Sequence, residues 1–174
     1  MKNIRKKAAK VTLIIFDVDG VMSDGSLYYS NTQEELKAFN VQDGLGIKML
    51  HAANIKTAII TGRQSEIVKK RARELNIEHL LQNRDDKLLA ALELAKTLEI
   101  PIEHIAYIGD DLPDLSAIKT LGFGIAVLNA SPHVKAVADY QTKLPGGHGA
   151  IREVCELILD AQNKLEAIIA TYHH

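Results

Sequence analysis

The chain has 174 residues and a formal net charge of −1, with 47% apolar and 25% charged residues, which is the make-up of one ordinary globular domain with a full core. A balance so near neutral leaves nothing to attract nucleic acid or an acidic membrane surface, and no stretch reaches the roughly 18 apolar residues of a membrane span. The lone cysteine, Cys155, rules out an intrachain disulfide and fits a reducing compartment such as the cytoplasm.

Residues 1–10 are basic but lack the apolar run and cleavage site of a signal peptide, so they are expected to be a solvated arm. Residues 13–16, Leu-Ile-Ile-Phe, have no polar alternation and predict a strand buried on both faces. Asp17-Val18-Asp19-Gly20 follows at once, so the strand delivers two carboxylates to the carboxyl edge of a sheet, where open α/β sheets bind ligands. Residues 26–30 and 36–41 are β-prone and flank the turn-like residues 31–34, which predicts a hairpin. A helix is expected over residues 45–53 and a buried strand over 57–61, stopped by Gly62.

Residues 65–75 form a charged amphipathic helix, with Arg63 and Arg71 eight apart and able to share a face. A short strand at 79–81, a helix at 87–98 and a strand at 105–109 come next, and the last ends in Asp110-Asp111 with Asp114 close behind. A short helix at 114–121, a strand from 122 and a helix at 131–138 lead to Pro145-Gly146-Gly147-His148-Gly149. By itself that glycine-rich stretch reads as a flexible connection. The last helix carries Ile151, Val154, Cys155, Ile158 and Leu159 on one side, which makes Cys155 a core residue. A cysteine phosphatase would need Arg six residues beyond Cys155, where Ala161 stands. Strand–helix alternation at this spacing predicts an α/β fold: a Rossmann-like parallel sheet with helices on both faces. With no repeat or linker, residues 1–174 are expected to be one domain, its core at about 9–160 and a C-terminal helix and tail at 150–174.

The strand ends share a chemistry. Carboxylates clustered without histidine or cysteine favour a hard cation such as Mg²⁺. Thr61 and Lys87 offer donors for phosphoryl oxygens, and a carboxylate can act as covalent nucleophile while a second moves the proton. Taken singly, each residue has a plainer reading. Thr61, Asp110 or Asp111 could cap a helix, Lys87 and Arg71 could be solvated helix positions, and Asp85-Asp86 could favour a helix start.

Taken in order, Asp17-Val18-Asp19-Gly20, Thr61, Lys87 and Gly109-Asp110-Asp111-Leu112-Pro113-Asp114 resemble the four motifs of the haloacid dehalogenase-like superfamily. The resemblance implies Asp17 as nucleophile and Mg²⁺ ligand. Asp19 would be acid/base, a metal contact through its backbone carbonyl, and a substrate contact. Thr61 and Lys87 would hold the phosphoryl group, Asp110 would complete the metal ligands, and Asp111 and Asp114 would support them. Residues 20–44 have room only for a hairpin flap where many members insert a cap domain, so the chain resembles the capless type. Further markers are Phe39-Asn40-Val41-Gln42-Asp43-Gly44, Thr61-Gly62-Arg63 and residues 146–153. They resemble capless phosphatases that release 3-deoxy-D-manno-octulosonate from its 8-phosphate for lipopolysaccharide precursors. A nonulosonate 9-phosphate is the alternative substrate, and a phospho-receiver or non-catalytic domain the alternative class. The resemblance further implies substrate contacts at Asn40, Asp43, Gly44, Lys48, Gly62, Arg63, Arg71 and Lys87, with Lys48 and Gln42 standing where arginine is common. It also implies a homotetramer in which a neighbour's C-terminal tail helps close the site. Tyr28, Tyr29 and Phe39 could be ordinary hairpin packing, but an exposed apolar hairpin cannot stay bare, so they are expected in the subunit interface.

Overall fold

The computed structural model describes residues 2–29, 31 and 35–173. Strand β1 (Leu13–Phe16) is buried along its whole length, as its unbroken apolar run requires, and it lies centrally in a six-stranded parallel sheet. With β4 (Lys56–Ile60), β5 (His79–Leu81), β6 (Ile105–Gly109), β7 (Phe123–Ala126) and β8 (Tyr140–Gln141), the order is β5-β4-β1-β6-β7-β8. Register positions the chemistry. Phe16 pairs with Ile59 on one side and Ile108 on the other, so Asp17 stands level with Ile60 and Gly109. Thr61 and Asp110 then fall one residue further along the same edge. Strand β8 was not expected; two residues of mixed polarity, Tyr140 and Gln141, carry too little pattern, and their pairing with Ile125 and Ala126 makes the strand.

The helices are α1 (Lys2–Ala8), α2 (Val41–Ala52), α3 (Glu66–Glu74), α4 (Lys87–Thr97), α5 (Leu115–Thr120), α6 (Pro132–Lys135), α7 (Ala150–Ala161) and α8 (Leu165–Ala170). Helix α7 packs on α2, and Ile151, Val154, Cys155, Ile158 and Leu159 are all fully buried. Fully burying such side chains stabilises by roughly 1.5–3 kcal/mol each relative to leaving them in water.

Three expectations change. The N-terminal segment is the helix α1, not a solvated arm: Ala8 enters the core, Arg5 pairs with Asp160 on α7, and Lys7 Nζ donates to Asp139 at 2.6 Å. Its strong charge disguised a helix that turns Ile4 and Ala8 toward the core. Helix α2 begins at Val41, four residues before the predicted start, because Asn40 caps it. The Asn40 Oδ1 accepts from the N–H groups of Gln42 (2.7 Å) and Asp43 (3.3 Å), which ends the β-prone segment and starts the helix. Arg63 does not share a helix face with Arg71, since α3 starts after the Ser65 cap and Arg63 stays in the loop.

The expected hairpin is present as β2 (Tyr28–Tyr29) paired antiparallel with β3 (Glu35–Leu36), a separate two-stranded flap after β1. Its Thr32, Gln33 and Glu34 lie outside the described residues. Leu27, Tyr28 and Leu36 on the flap, and Val41 after it, are exposed. No helix among the described residues is long and apolar enough to cross a membrane.

Candidate active site

Between Asp17 and the flap the chain makes one wide turn over Val18–Met22, in which Asp19 stays extended and Gly20 adopts φ +93°. Only glycine fits there. A Cβ at Gly20 would also lie 2.2 Å from Asp110 Oδ2, so the turn lets the two acidic strand ends close on each other. The glycine-rich stretch before α7 is a structural support, not a free connection. Gly147 N–H donates to Val21 O (2.9 Å), Gly146 N–H donates to Asn129 Oδ1 (2.8 Å), and a Cβ on Gly146 would fall 1.7 Å from Gly20 O.

Asp17, Asp110 and Asp114 each bring a carboxylate oxygen within 4.8 Å of the others. Burial first, then the negative charge of Asp114, raises Asp17 and Asp110 to about 7 each, against the opposing pull of Lys87. Two acids, one buried and one half-buried, that bind protons so readily are short of positive charge, and an all-oxygen set of this kind suits Mg²⁺. The residues present therefore fit the metal. The expected set was Asp17, Asp110 and the backbone carbonyl of Asp19; the structure adds the carboxylate of Asp114 beside the first two, while the side chain of Asp19 is turned to other partners.

Lys87, the first residue of α4, is buried and bridges the cluster: its Nζ lies 2.9 Å from Asp17 Oδ1 and 2.7 Å from Asp114 Oδ1. Burial lowers its pKa, but the charges of Asp17 and Asp114 outweigh that and the net shift is upward, so Lys87 stays a cation. Asp114 is the hub. Besides Lys87, its Oδ1 accepts from the Tyr107 hydroxyl (2.8 Å), and its Oδ2 accepts from the N–H groups of Asp110 (3.0 Å) and Asp111 (3.3 Å). Asp111 itself is exposed, at the start of a single 3₁₀ turn. Tyr107 sits inside a predicted strand with no polar neighbour in sequence, and nothing short of the tertiary fold points its hydroxyl at Asp114.

Thr61 is buried at the end of β4, and its Oγ1 accepts from Arg63 N–H at 3.4 Å. Gly62 lets the following loop pass close to Asp85. Asp86 precedes α4, but its carboxylate is spent on Arg84 and makes no cap bond. Asp19 has a cation on each oxygen. Lys37 Nζ lies 2.5 Å from Oδ1, and the half-exposed Arg63 places Nε 3.8 Å from Oδ2. No motif marks Lys37 in the sequence; it follows a two-residue strand and looks like any solvated lysine, yet its side chain is only 1% exposed.

The remaining predicted contacts lie on α2 and α3. Asn40 is engaged as the α2 cap. Asp43 is buried, and its carboxylate accepts from the N–H groups of Gly149 (3.3 Å) and Arg152 (2.8 Å), at the start of α7. Its carboxylate therefore ties α2 to the start of α7. Burial raises its pKa against those bonds. Arg71 donates Nη2–H to Asn40 O (3.2 Å), stacks 5.5 Å from the Phe39 ring and sits against Gly44, which is neither a solvated face nor a free cation. Lys48 is exposed in a surface groove with Val41, Gly44 and Arg71.

An acidic cluster, a buried lysine and a strand-end threonine on one parallel-sheet edge define a phosphoryl-transfer site. Residues 77–153 match the family model of the haloacid dehalogenase-like hydrolases. The 3-deoxy-D-manno-octulosonate 8-phosphate phosphatase of Yersinia pestis is 51% identical over 164 residues, covering 94% of this chain and 88% of that protein. The corresponding enzyme of Salmonella typhi is 48% identical, covering 94% of this chain and 87% of its own. The crystal structure of the Moraxella catarrhalis phosphatase, in complex with magnesium, phosphate and 3-deoxy-D-manno-octulosonate (KDO), superposes with a TM-score of 0.98 at 53% identity and covers 99% of both chains. The chain belongs to the haloacid dehalogenase-like hydrolases and, within them, to the family of the 3-deoxy-D-manno-octulosonate 8-phosphate phosphatases.

Proposed function

We propose that the protein is a Mg²⁺-dependent phosphomonoesterase that hydrolyses 3-deoxy-D-manno-octulosonate 8-phosphate to the free sugar acid and phosphate, in lipopolysaccharide precursor synthesis. The observation that carries the reaction class is the linked set Asp17–Lys87–Asp114 at the end of the central strand. Asp17, Asp110 and the backbone carbonyl of Asp19 would hold Mg²⁺, with Asp114 beside them. When bound, the ion neutralises phosphate and nucleophile charge so that the two can approach.

Asp17 attacks phosphorus through a carboxylate oxygen. The ester P–O bond breaks, its electron pair leaves on the sugar oxygen, and Asp19 supplies that oxygen with a proton. Water then forms the new P–O bond while Asp19 takes its proton, and the bond to Asp17 breaks. Lys87 and Thr61 hold phosphoryl oxygens. Arg63, with Gly62 giving the loop room, faces the sugar acid as a bidentate donor. Asn40, Asp43, Gly44 and Arg71 serve the substrate site from α2 and α3, Arg71 with a buried Nε that has no hydrogen-bond partner among the described residues, and Lys48 adds a cation at its rim.

The exposed apolar flap supports a homotetramer in which flaps pack together and a neighbour's C-terminal tail helps close the site. The whole chain acts as one unit in the cytoplasm, where its single buried cysteine stays reduced.

Phosphate release from the octulosonate 8-phosphate and from a nonulosonate 9-phosphate, each with and without Mg²⁺, tests the assignment. Turnover with Mg²⁺ and preference for the octulosonate are expected. Equal rates on both would remove the substrate assignment, and metal-independent turnover would remove the mechanism. Asp17→Asn abolishes turnover while substrate still binds; full activity in that variant contradicts the covalent step.

A further inference from the structure

The flap is joined to the catalytic turn by a chain of polar contacts. Lys37, immediately after β3, places its ammonium 2.5 Å from Asp19 Oδ1 and 3.2 Å from Glu35 Oε1. The other oxygen of Glu35 accepts from the Ser65 hydroxyl at 2.8 Å, and Ser65 caps α3 directly after the Thr61-Gly62-Arg63 loop. The ammonium of a lysine side chain that is 1% exposed must be compensated by carboxylates, and both of its partners among the described residues are carboxylates. Arg63, on the opposite side of Asp19, is longer at 3.8 Å and half-exposed, so it leaves Lys37 as the contact that sets the direction of the Asp19 carboxylate.

We propose that Lys37 is a positioning residue for the reaction: from the flap, it orients the Asp19 carboxylate for proton transfer to the departing oxygen, and Glu35 and Ser65 hold it in register with the phosphate loop. The inference rests on the acid/base assignment of Asp19 above. Proton transfer from a positioned group contributes steeply to rate and demands hydrogen-bond reach of the receiving atom. Lys37 exchanges no proton; it acts through geometry.

The test separates orientation of the acid from substrate recognition and from folding. Three substrates are compared by kcat/KM, which reports the steps up to loss of the alcohol: the sugar-acid phosphate, a simple alkyl phosphate without a carboxylate, and p-nitrophenyl phosphate, whose phenolate leaves without a proton. Lys37→Met lowers kcat/KM for both alkyl esters about tenfold or more and for the p-nitrophenyl ester by less than about threefold, since only the alkyl oxygens need the acid. Lys37→Arg recovers part of the alkyl activity. A loss confined to the sugar-acid phosphate overturns the proposal in favour of substrate recognition, and an equal loss on all three overturns it in favour of a structural role. If Lys37→Met does not fold, Lys37→Gln is read in the same way. Asp19→Asn is the control for the underlying assignment. If it shows the alkyl-selective loss and the Lys37 variants do not, only the inference about Lys37 fails. If Asp19→Asn itself shows no such selectivity, the acid/base role fails and the inference with it.

Discussion

Replacing Asp114 by alanine takes the hub from the acidic site and should cost stability as well as activity. Asp114 is 1% exposed, and its two oxygens accept from Lys87 Nζ, the Tyr107 hydroxyl and two backbone N–H groups. Breaking a buried ion pair from one side costs about 3–5 kcal/mol, because the remaining charge is left in a site that water reaches poorly. Two effects move the figure down. Lys87 keeps Asp17 at 2.9 Å, and loss of the Asp114 charge relieves the repulsion that raises Asp17 and Asp110. We therefore expect about 3 kcal/mol, which for a chain of this size lowers Tm by about 6–12 °C. Asp114→Asn, which keeps the shape, should cost about 1–2 kcal/mol. The assay is urea unfolding at pH 7 in chelator, for the single variants, Tyr107→Phe and the double variant. Tyr107→Phe alone costs about 1 kcal/mol and less in the Asp114→Ala background, the difference being the coupling of the shared hydrogen bond. An Asp114→Ala variant within about 0.5 kcal/mol of the parent, or additive costs in the double variant, would refute the hub.

Gly146→Ala drives a Cβ into the carbonyl of Gly20, a backbone atom that cannot rotate away, so the turn carrying Asp19 must shift. Destabilisation of about 1–3 kcal/mol with a disproportionate fall in kcat is expected, and a silent substitution would show that the close approach is unimportant. Asn40→Ala removes the acceptor of two N–H groups at the start of α2 and should cost about 1 kcal/mol by thermal unfolding, whereas Asn40→Asp should be nearly neutral.

The metal-free protein has a pH dependence of definite sign. Asp17 and Asp110 titrate near 7 when folded and near 3.8 when unfolded, so the folded state holds more protons between those values. Their contribution is fully present below about pH 4 and is lost as pH rises through about 7. In chelator, the stability of the parent relative to Asp17→Asn should fall across that window, and Mg²⁺ should raise Tm more at pH 8 than at pH 5. A relative stability that rises with pH contradicts the assigned shifts.

The sequence alone determined the central strand, the parallel α/β architecture, the flap in place of a cap, and the acidic and phosphate-binding strand ends. Those features depend on local pattern: a short, β-branched apolar run such as residues 13–16, stopped by Asp17-Val18-Asp19-Gly20, reads as a buried strand, and a register of parallel strands brings their ends together. Tertiary structure decided the partners. Asp114 joins Asp17 and Asp110 in the carboxylate cluster, Asp43 caps α7, and Arg71 secures the start of α2. Lys37 and Tyr107, unmarked in the sequence, reach Asp19 and Asp114. A side chain's charge is written in its residue type, but its work depends on which opposite charge it meets where water is scarce. That meeting is made by residues far apart along the chain, as Asp43 and Arg152 are.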